Sequence, residues 1–234
     1  MVASSPADRG LVEAVRAELA AAGDRDVATK QQAYMKSEMP YHGLPAPLLK
    51  AVLRPLLRGW QPDSREQWEA TVLALWDQAS HREQRYAALA VARHRRAASW
   101  RDPSSLGLWR HLVVTGAWWD LVDEVATHLV GDVLRDHRAE TEPVLRAWAT
   151  DDDLWVRRTA VICQVGHGRD ADPDLLRHAV EANLADPTFW LRKAIGWALR
   201  DYARTDPDWV RAEVTRLGDR LSGLSRREAM KHLT

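Results

Sequence analysis

The 234-residue chain has a single cysteine, Cys163. It can form no internal disulfide and no thiolate metal cluster. It has one phenylalanine, and glycine (12) and proline (11) are sparse, so no segment reads as low-complexity or as a disordered tail. No run reaches the roughly 18 apolar residues of a membrane span. The opening Met1-Val-Ala-Ser-Ser-Pro6 lacks the charged-then-apolar layout of a signal peptide, which makes a cytoplasmic protein the expectation. Net charge is absent as well, since 33 Lys and Arg balance 33 Asp and Glu. A generic polyanion binder shows a basic excess, although one basic face backed by an acidic one gives the same zero. There is no Walker-type or dinucleotide glycine pattern and no Gly-x-Ser-x-Gly elbow, and the nine histidines lie at no ligand spacing. No metal and no cofactor is therefore expected.

What is present is helical periodicity and tryptophan. The chain is 46% hydrophobic and carries twelve Trp against four Tyr, more Trp than plain core filling explains. Apolar residues recur at helical spacing, with short links at Asp, Gly, Ser or Pro. The spacing predicts about a dozen helices, among them 9–22, 82–96, 116–135, 153–166, 188–204 and 224–232. Trp155-Val-Arg157-Arg-Thr-Ala160 lies over Trp190-Leu-Arg192-Lys-Ala-Ile195 at an offset of 35, and Ser225-Arg-Arg227-Glu-Ala-Met230 continues it. Arg85 sits two periods earlier, and the missing period falls at Leu121, inside Trp118-Trp-Asp-Leu-Val-Asp123. A repeat of this length built of helix pairs predicts an all-α solenoid of about six HEAT-like antiparallel pairs. Its inner, concave face would be the binding face, and residues 1–234 would form one domain.

On a helix over 116–131, Trp118, Val122, Val125 and Leu129 share one apolar face. Trp119 lies about 100° round and shares a flank with Asp123 at i+4. Trp118 thus reads as core, and Trp119 as a core-edge residue beside a carboxylate. In 188–204 Leu191, Ile195, Leu199 and Tyr202 face the core. Lys193, Trp197, Arg200 and Arg204 form a basic stripe broken by one Trp, which suits a phosphate backbone or, as the ordinary alternative, a solvated face. Further basic clusters, Arg82/Arg85/Arg93/Arg95/Arg96, Arg157/Arg158 and Arg226/Arg227/Lys231, fall on repeat-equivalent helices and would line up along one side. Cys163, between apolar neighbours, reads as inert core.

Thr115-Gly-Ala-Trp-Trp-Asp-Leu-Val-Asp123, Asp153-Leu-Trp-Val-Arg-Arg158 and Lys193-Ala-Ile-Gly-Trp-Ala-Leu-Arg-Asp-Tyr202 closely resemble the HEAT-like DNA alkylation repair enzymes, a family of alkylpurine DNA glycosylases. Ala33-Tyr-Met-Lys36 and Leu224-Ser-Arg-Arg-Glu-Ala-Met-Lys231 also look like family segments, so the resemblance runs from about Tyr34 to the C-terminus. It implies hydrolysis of the N-glycosidic bond of cationic N3- and N7-alkylpurines in duplex DNA, without extrusion of the base into a pocket. Carried over by motif position, Asp123 would be the catalytic carboxylate. Trp119 and Trp197 would pack on the backbone beside the lesion, Arg158 would hold a phosphate, and Tyr34 would lie at the lesion-facing edge. Arg157, Lys193, Arg200, Arg204, Arg226, Arg227 and Lys231 would contribute to DNA binding, and a monomer is the default state. One departure is Pro45, where some relatives carry a polar residue and proline can donate no hydrogen bond.

The chemistry suits that assignment. A cationic purine leaves without a general acid, so what needs stabilising is the charge developing on the deoxyribose. A carboxylate about 4 Å away contributes about 4 kcal/mol at an effective dielectric near 20, on the order of a thousandfold in rate. Two other readings compete: a non-catalytic relative that binds distorted or branched DNA by shape, and a protein–protein scaffold.

Overall fold

The computed structural model describes residues 6–233, which form helices and turns with no strand among them. The chain divides between Trp100 and Arg101 into two compact units.

The first unit holds α1 (Arg9–Ala21), α2 (Arg25–Met35), α3 (Ala46–Arg58), α4 (Arg65–Asp77) and α5 (Arg82–Ala92), followed by a 3₁₀ turn at Arg95–Trp100. Short polar side chains start the helices. Asp8, Asp24 and Ser64 each accept from backbone N–H groups of the first turn, which no intrahelical carbonyl can satisfy. Val15, Leu19, Trp68, Val72, Leu75 and Trp76 are fully buried, and the Trp68 indole donates to the Val91 carbonyl at 3.1 Å. The helix expected over 82–96 stops at Ala92, where the chain tightens into the 3₁₀ turn. Before α3, the turn at His42-Gly43-Leu44 is held by a buried carboxylate: Glu83 accepts all three backbone N–H groups, at 2.9, 2.9 and 3.1 Å. Gly43 is required there, because its φ is +92° and a Cβ would lie 1.9 Å from the Asp24 carbonyl oxygen.

The second unit holds α6 (Leu106–Gly116), α7 (Trp119–Glu124), a π-helical segment (Val125–Val130), α8 (Gly131–Asp136), α9 (Arg138–Trp148), α10 (Leu154–Ile162), α11 (Pro173–Ala182), α12 (Phe189–Tyr202), α13 (Pro207–Leu217) and α14 (Gly223–Met230). The run α7–π–α8, then α10, α12 and α14, pack one on the next as a layer. Behind it, α9 packs against α8, α10 and α11, and α13 against α12 and α14.

The continuous helix that begins at α7 is buried at Leu121/Val122, Val125/Ala126, Leu129/Val130 and Val133/Leu134, a spacing of four. A regular α-helix would turn such a stripe by about 40° at each step. The wider π turn absorbs the excess and keeps the stripe on the core. It is also why Gly131 is needed, since a Cβ there would lie 2.6 Å from the Cys163 carbonyl oxygen. Two expected boundaries shift. The helix expected over 116–135 begins at Trp119, because Ala117 takes a left-handed conformation (φ +40°) and Trp118 is extended. The helix expected over 153–166 ends at Ile162, four residues before Gly166 at φ +87°.

Candidate active site

Asp123 stands on α7 and Arg158 on α10, 35 residues and one repeat apart. Their side chains meet in a bidentate pair, Arg158 Nε to Asp123 Oδ1 at 2.7 Å and Nη2 to Oδ2 at 2.8 Å. The remaining Nη1 donates to the carbonyl oxygen of Trp190, on α12, at 2.6 Å. One guanidinium therefore ties three successive helices of the layer together. Its side chain is 5% exposed and that of Asp123 17%, so the carboxylate keeps an accessible edge while its charge partner lies beneath. Burial pushes the Asp123 carboxyl above the usual aspartate range. The hydrogen bonds and charge of Arg158 pull it down, and the nearby Asp120 adds to the rise.

In this structure Arg158 is committed within the protein. It was expected to hold a phosphate, but this structure buries it and commits its fork to Asp123 and the Trp190 carbonyl. Its fork fixes the orientation of the Asp123 carboxylate. Arg157, one position earlier and pointing elsewhere, is also paired within the protein. Its side chain donates to Asn183 Oδ1 (3.1 Å), to the carbonyls of Asp151 (2.8 Å) and Asp152 (3.1 Å), and to Asp186 Oδ2 (2.8 Å). It braces the links at either end of its own repeat. Arg192, its equivalent one period on, donates to the Asp186 carbonyl at 3.3 Å. At these two positions the repeated arginine is a structural brace.

Aromatic side chains stand beside the pair. Trp118, Trp155 and Trp190 form a three-ring cluster with centroids 5.2 to 6.1 Å apart, extended by the exposed Phe189 on Trp190. Trp118 was expected in the core at the start of a helical face. It instead sits outside α7, half-buried on the other two rings, with its indole nitrogen buried and unpartnered. The sequence signal for Trp190 was only its place in the repeat; its contribution to this wall was missed. Trp119 shares the α7 flank with Asp123, and Trp197 lies on α12. Both are half-buried, and neither stacks on another ring among the described residues.

Trp190, Lys193, Trp197 and Arg200 follow i, i+3, i+7 and i+10 and share one face of α12. The stripe thus starts at the residue whose carbonyl receives Arg158. Lys193 and Arg200 both reach Glu228 on α14, at 3.3 and 2.6 Å. Arg204, expected to continue the stripe, lies beyond the end of α12, mostly exposed with only a 3.9 Å approach to Asp201. On α14, Arg226 donates to the Gly218 carbonyl at 2.6 Å and tethers the preceding turn, while Arg227 and, just past its end, Lys231 are exposed. Tyr34 stands on α2 in the first unit and is 78% exposed. Cys163 is fully buried and its thiol is pushed up to about 12, so it is inert, as the apolar setting implies.

The sequence profile of a family described as DNA alkylation repair enzyme matches residues 15–233. A solved structure titled as a predicted DNA alkylation repair enzyme from Enterococcus faecalis is 30% identical, with a TM-score of 0.81 over 91% of this chain and 97% of that one. No curated protein matches.

Proposed function

The chain belongs to the DNA alkylation repair enzyme family, and on that footing we propose that it hydrolyses the N-glycosidic bond of cationic N3- and N7-alkylpurines in duplex DNA, acting as one domain over residues 1–234. The observation that carries the proposal is the Asp123–Arg158 pair: a carboxylate that keeps some exposure while a buried guanidinium locks its orientation.

In the reaction the bond between C1′ and the purine nitrogen breaks, and its electron pair neutralises the cationic ring. Positive charge then develops on the deoxyribose. The Asp123 carboxylate stabilises it, at an effective dielectric lowered by burial, and orients the water whose oxygen bonds to C1′ and whose proton passes to solvent. Arg158 acts through Asp123, fixing it against rotation. Trp119 and Trp197 offer ring faces to the sugar and backbone beside the lesion. Lys193, Arg200, Arg204, Arg227 and Lys231 neutralise phosphates, and Tyr34 approaches the lesion side.

The test is release of 7-methylguanine and 3-methyladenine from methylated duplex DNA by the wild type and by Asp123→Asn. The variant should lose on the order of a thousandfold in single-turnover rate, about 4 kcal/mol, with duplex affinity retained. A wild type silent on both bases removes the catalytic reading. Lesion-independent binding by that silent protein would establish the alternative, a non-catalytic binder of distorted or branched DNA.

A further inference from the structure

Gly196 lies between Lys193 and Arg200 on the basic face of α12 and lets α14 come close. A Cβ on it would fall 2.5 Å from the Glu228 Cβ and 3.0 Å from the Ser225 carbonyl oxygen. The Ser225 hydroxyl seals the same contact by donating to the Arg192 carbonyl at 2.8 Å. This approach sets the Glu228 carboxylate over the stripe, where one oxygen meets Lys193 Nζ at 3.3 Å and the other Arg200 Nη1 at 2.6 Å. The two cations are seven residues apart, so a single carboxylate bridges two turns of α12. Lys193, Arg200 and Lys231 together hold the Glu228 carboxyl below the usual glutamate range, although burial opposes them. Two anionic oxygens held between two cations beside a Trp are what a DNA phosphate would present to the same groups.

We infer that Glu228 is an internal stand-in for a DNA phosphate, which occupies Lys193 and Arg200 in the free protein and must yield them before the backbone binds. This rests on the reading that the α12 stripe meets DNA. Each phosphate contact made there displaces an existing ion pair, so the net gain on unmodified duplex is small. Glu228 thereby holds down lesion-independent binding by a chain whose stripe alone would attract any polyanion.

The experiment measures binding of a fluorescently labelled, unmodified duplex to the full chain by anisotropy across a salt series. Glu228→Gln keeps the shape and removes the charge. It should bind about three- to tenfold more tightly at low salt, with a log–log salt slope steeper by about 0.9, one additional phosphate's worth. Glu228→Ala, which keeps the Cβ that packs against Gly196, should act in the same direction and covers a misfolded Gln variant. Asp208→Asn removes one negative charge on α13, where Asp208 pairs with Arg211, and should change affinity less than twofold. In a Lys193→Ala/Arg200→Ala background Glu228→Gln should give no gain. Unchanged affinity and slope in both Glu228 variants, or an equal gain from Asp208→Asn, overturns the inference. If Lys193→Ala/Arg200→Ala alone leaves affinity unchanged, the premise of a DNA-facing stripe fails. If that pair weakens binding while Glu228→Gln gives no gain, only the role of Glu228 fails.

Discussion

Arg158→Met leaves the stem of the side chain to pack and removes the guanidinium beneath Asp123. Two charge-assisted hydrogen bonds at 2.7 and 2.8 Å are lost, and so is the donor to the Trp190 carbonyl. What remains is a carboxylate with 17% exposure and no charge partner. Breaking a buried pair from one side costs about 3–5 kcal/mol, and the open edge of Asp123 places the expectation near the lower end. For a chain of this size that is a fall in Tm of roughly 6–12 °C. The loss has a definite pH dependence. Asp123 titrates higher in the folded chain than in the unfolded one, and higher still without Arg158, so the folded variant binds a proton more readily than its unfolded state. The deficit is therefore greatest above the folded pKa of Asp123. It shrinks as pH falls through that value, by at most about 1.4 kcal/mol per unit. Thermal melts of wild type and variant, followed by circular dichroism between pH 7.5 and pH 4, read both quantities. A deficit under about 1 kcal/mol at neutral pH, or one that does not narrow in acid, would show that Arg158 is not the buried counter-charge of Asp123. In base-release assays of the same variant, the acid limb should move to higher pH, since the proposed reaction needs the ionised carboxylate.

Three further outcomes follow from other contacts. Gly196→Ala should destabilise the chain by about 1–3 kcal/mol in denaturant melts, because its Cβ overlaps Glu228 and the Ser225 backbone; a neutral result would mean that α14 is looser on α12 than described. His167 is buried with both ring nitrogens unpartnered, and burial together with Arg135 and Arg138 lowers its pKa to about 4. Its imidazole should stay neutral by NMR down to that pH, and the stability it confers should be present above about pH 6.5 and lost as pH falls toward 4; titration near 6.5 would refute the burial. Glu83→Gln replaces an acceptor of three backbone N–H groups with a neutral amide and should destabilise the first unit by about 1–3 kcal/mol, seen as faster amide exchange at His42, Gly43 and Leu44.

The helices were legible in the residues because their determinants are local. Apolar spacing, and the caps at Asp8, Asp24, Ser64, Asp153, Asp172 and Asp206, act within one or two turns. The repeat was legible too, although that Asp123 and Arg158, one period apart, meet across neighbouring helices came from the structure. The same period marked Arg157 and Arg192, yet it could not distinguish a brace from a DNA contact, because that depends on which acceptors lie across from each fork. Trp118 was misplaced by the same limitation. Helical spacing put it on a buried face, while the left-handed turn at Ala117 and two distant rings, Trp155 and Trp190, decided where it sits. Nothing in the spacing or motifs singles out Glu83 or Glu228. Each became an organising charge only when packing brought a turn or a neighbouring helix within 3 Å or so of its oxygens. The sequence by itself determined the all-helical architecture and the carboxylate on which the proposed chemistry rests. Tertiary structure alone decided what each charge is paired with, because burial and pairing belong to groups that are far apart along the chain.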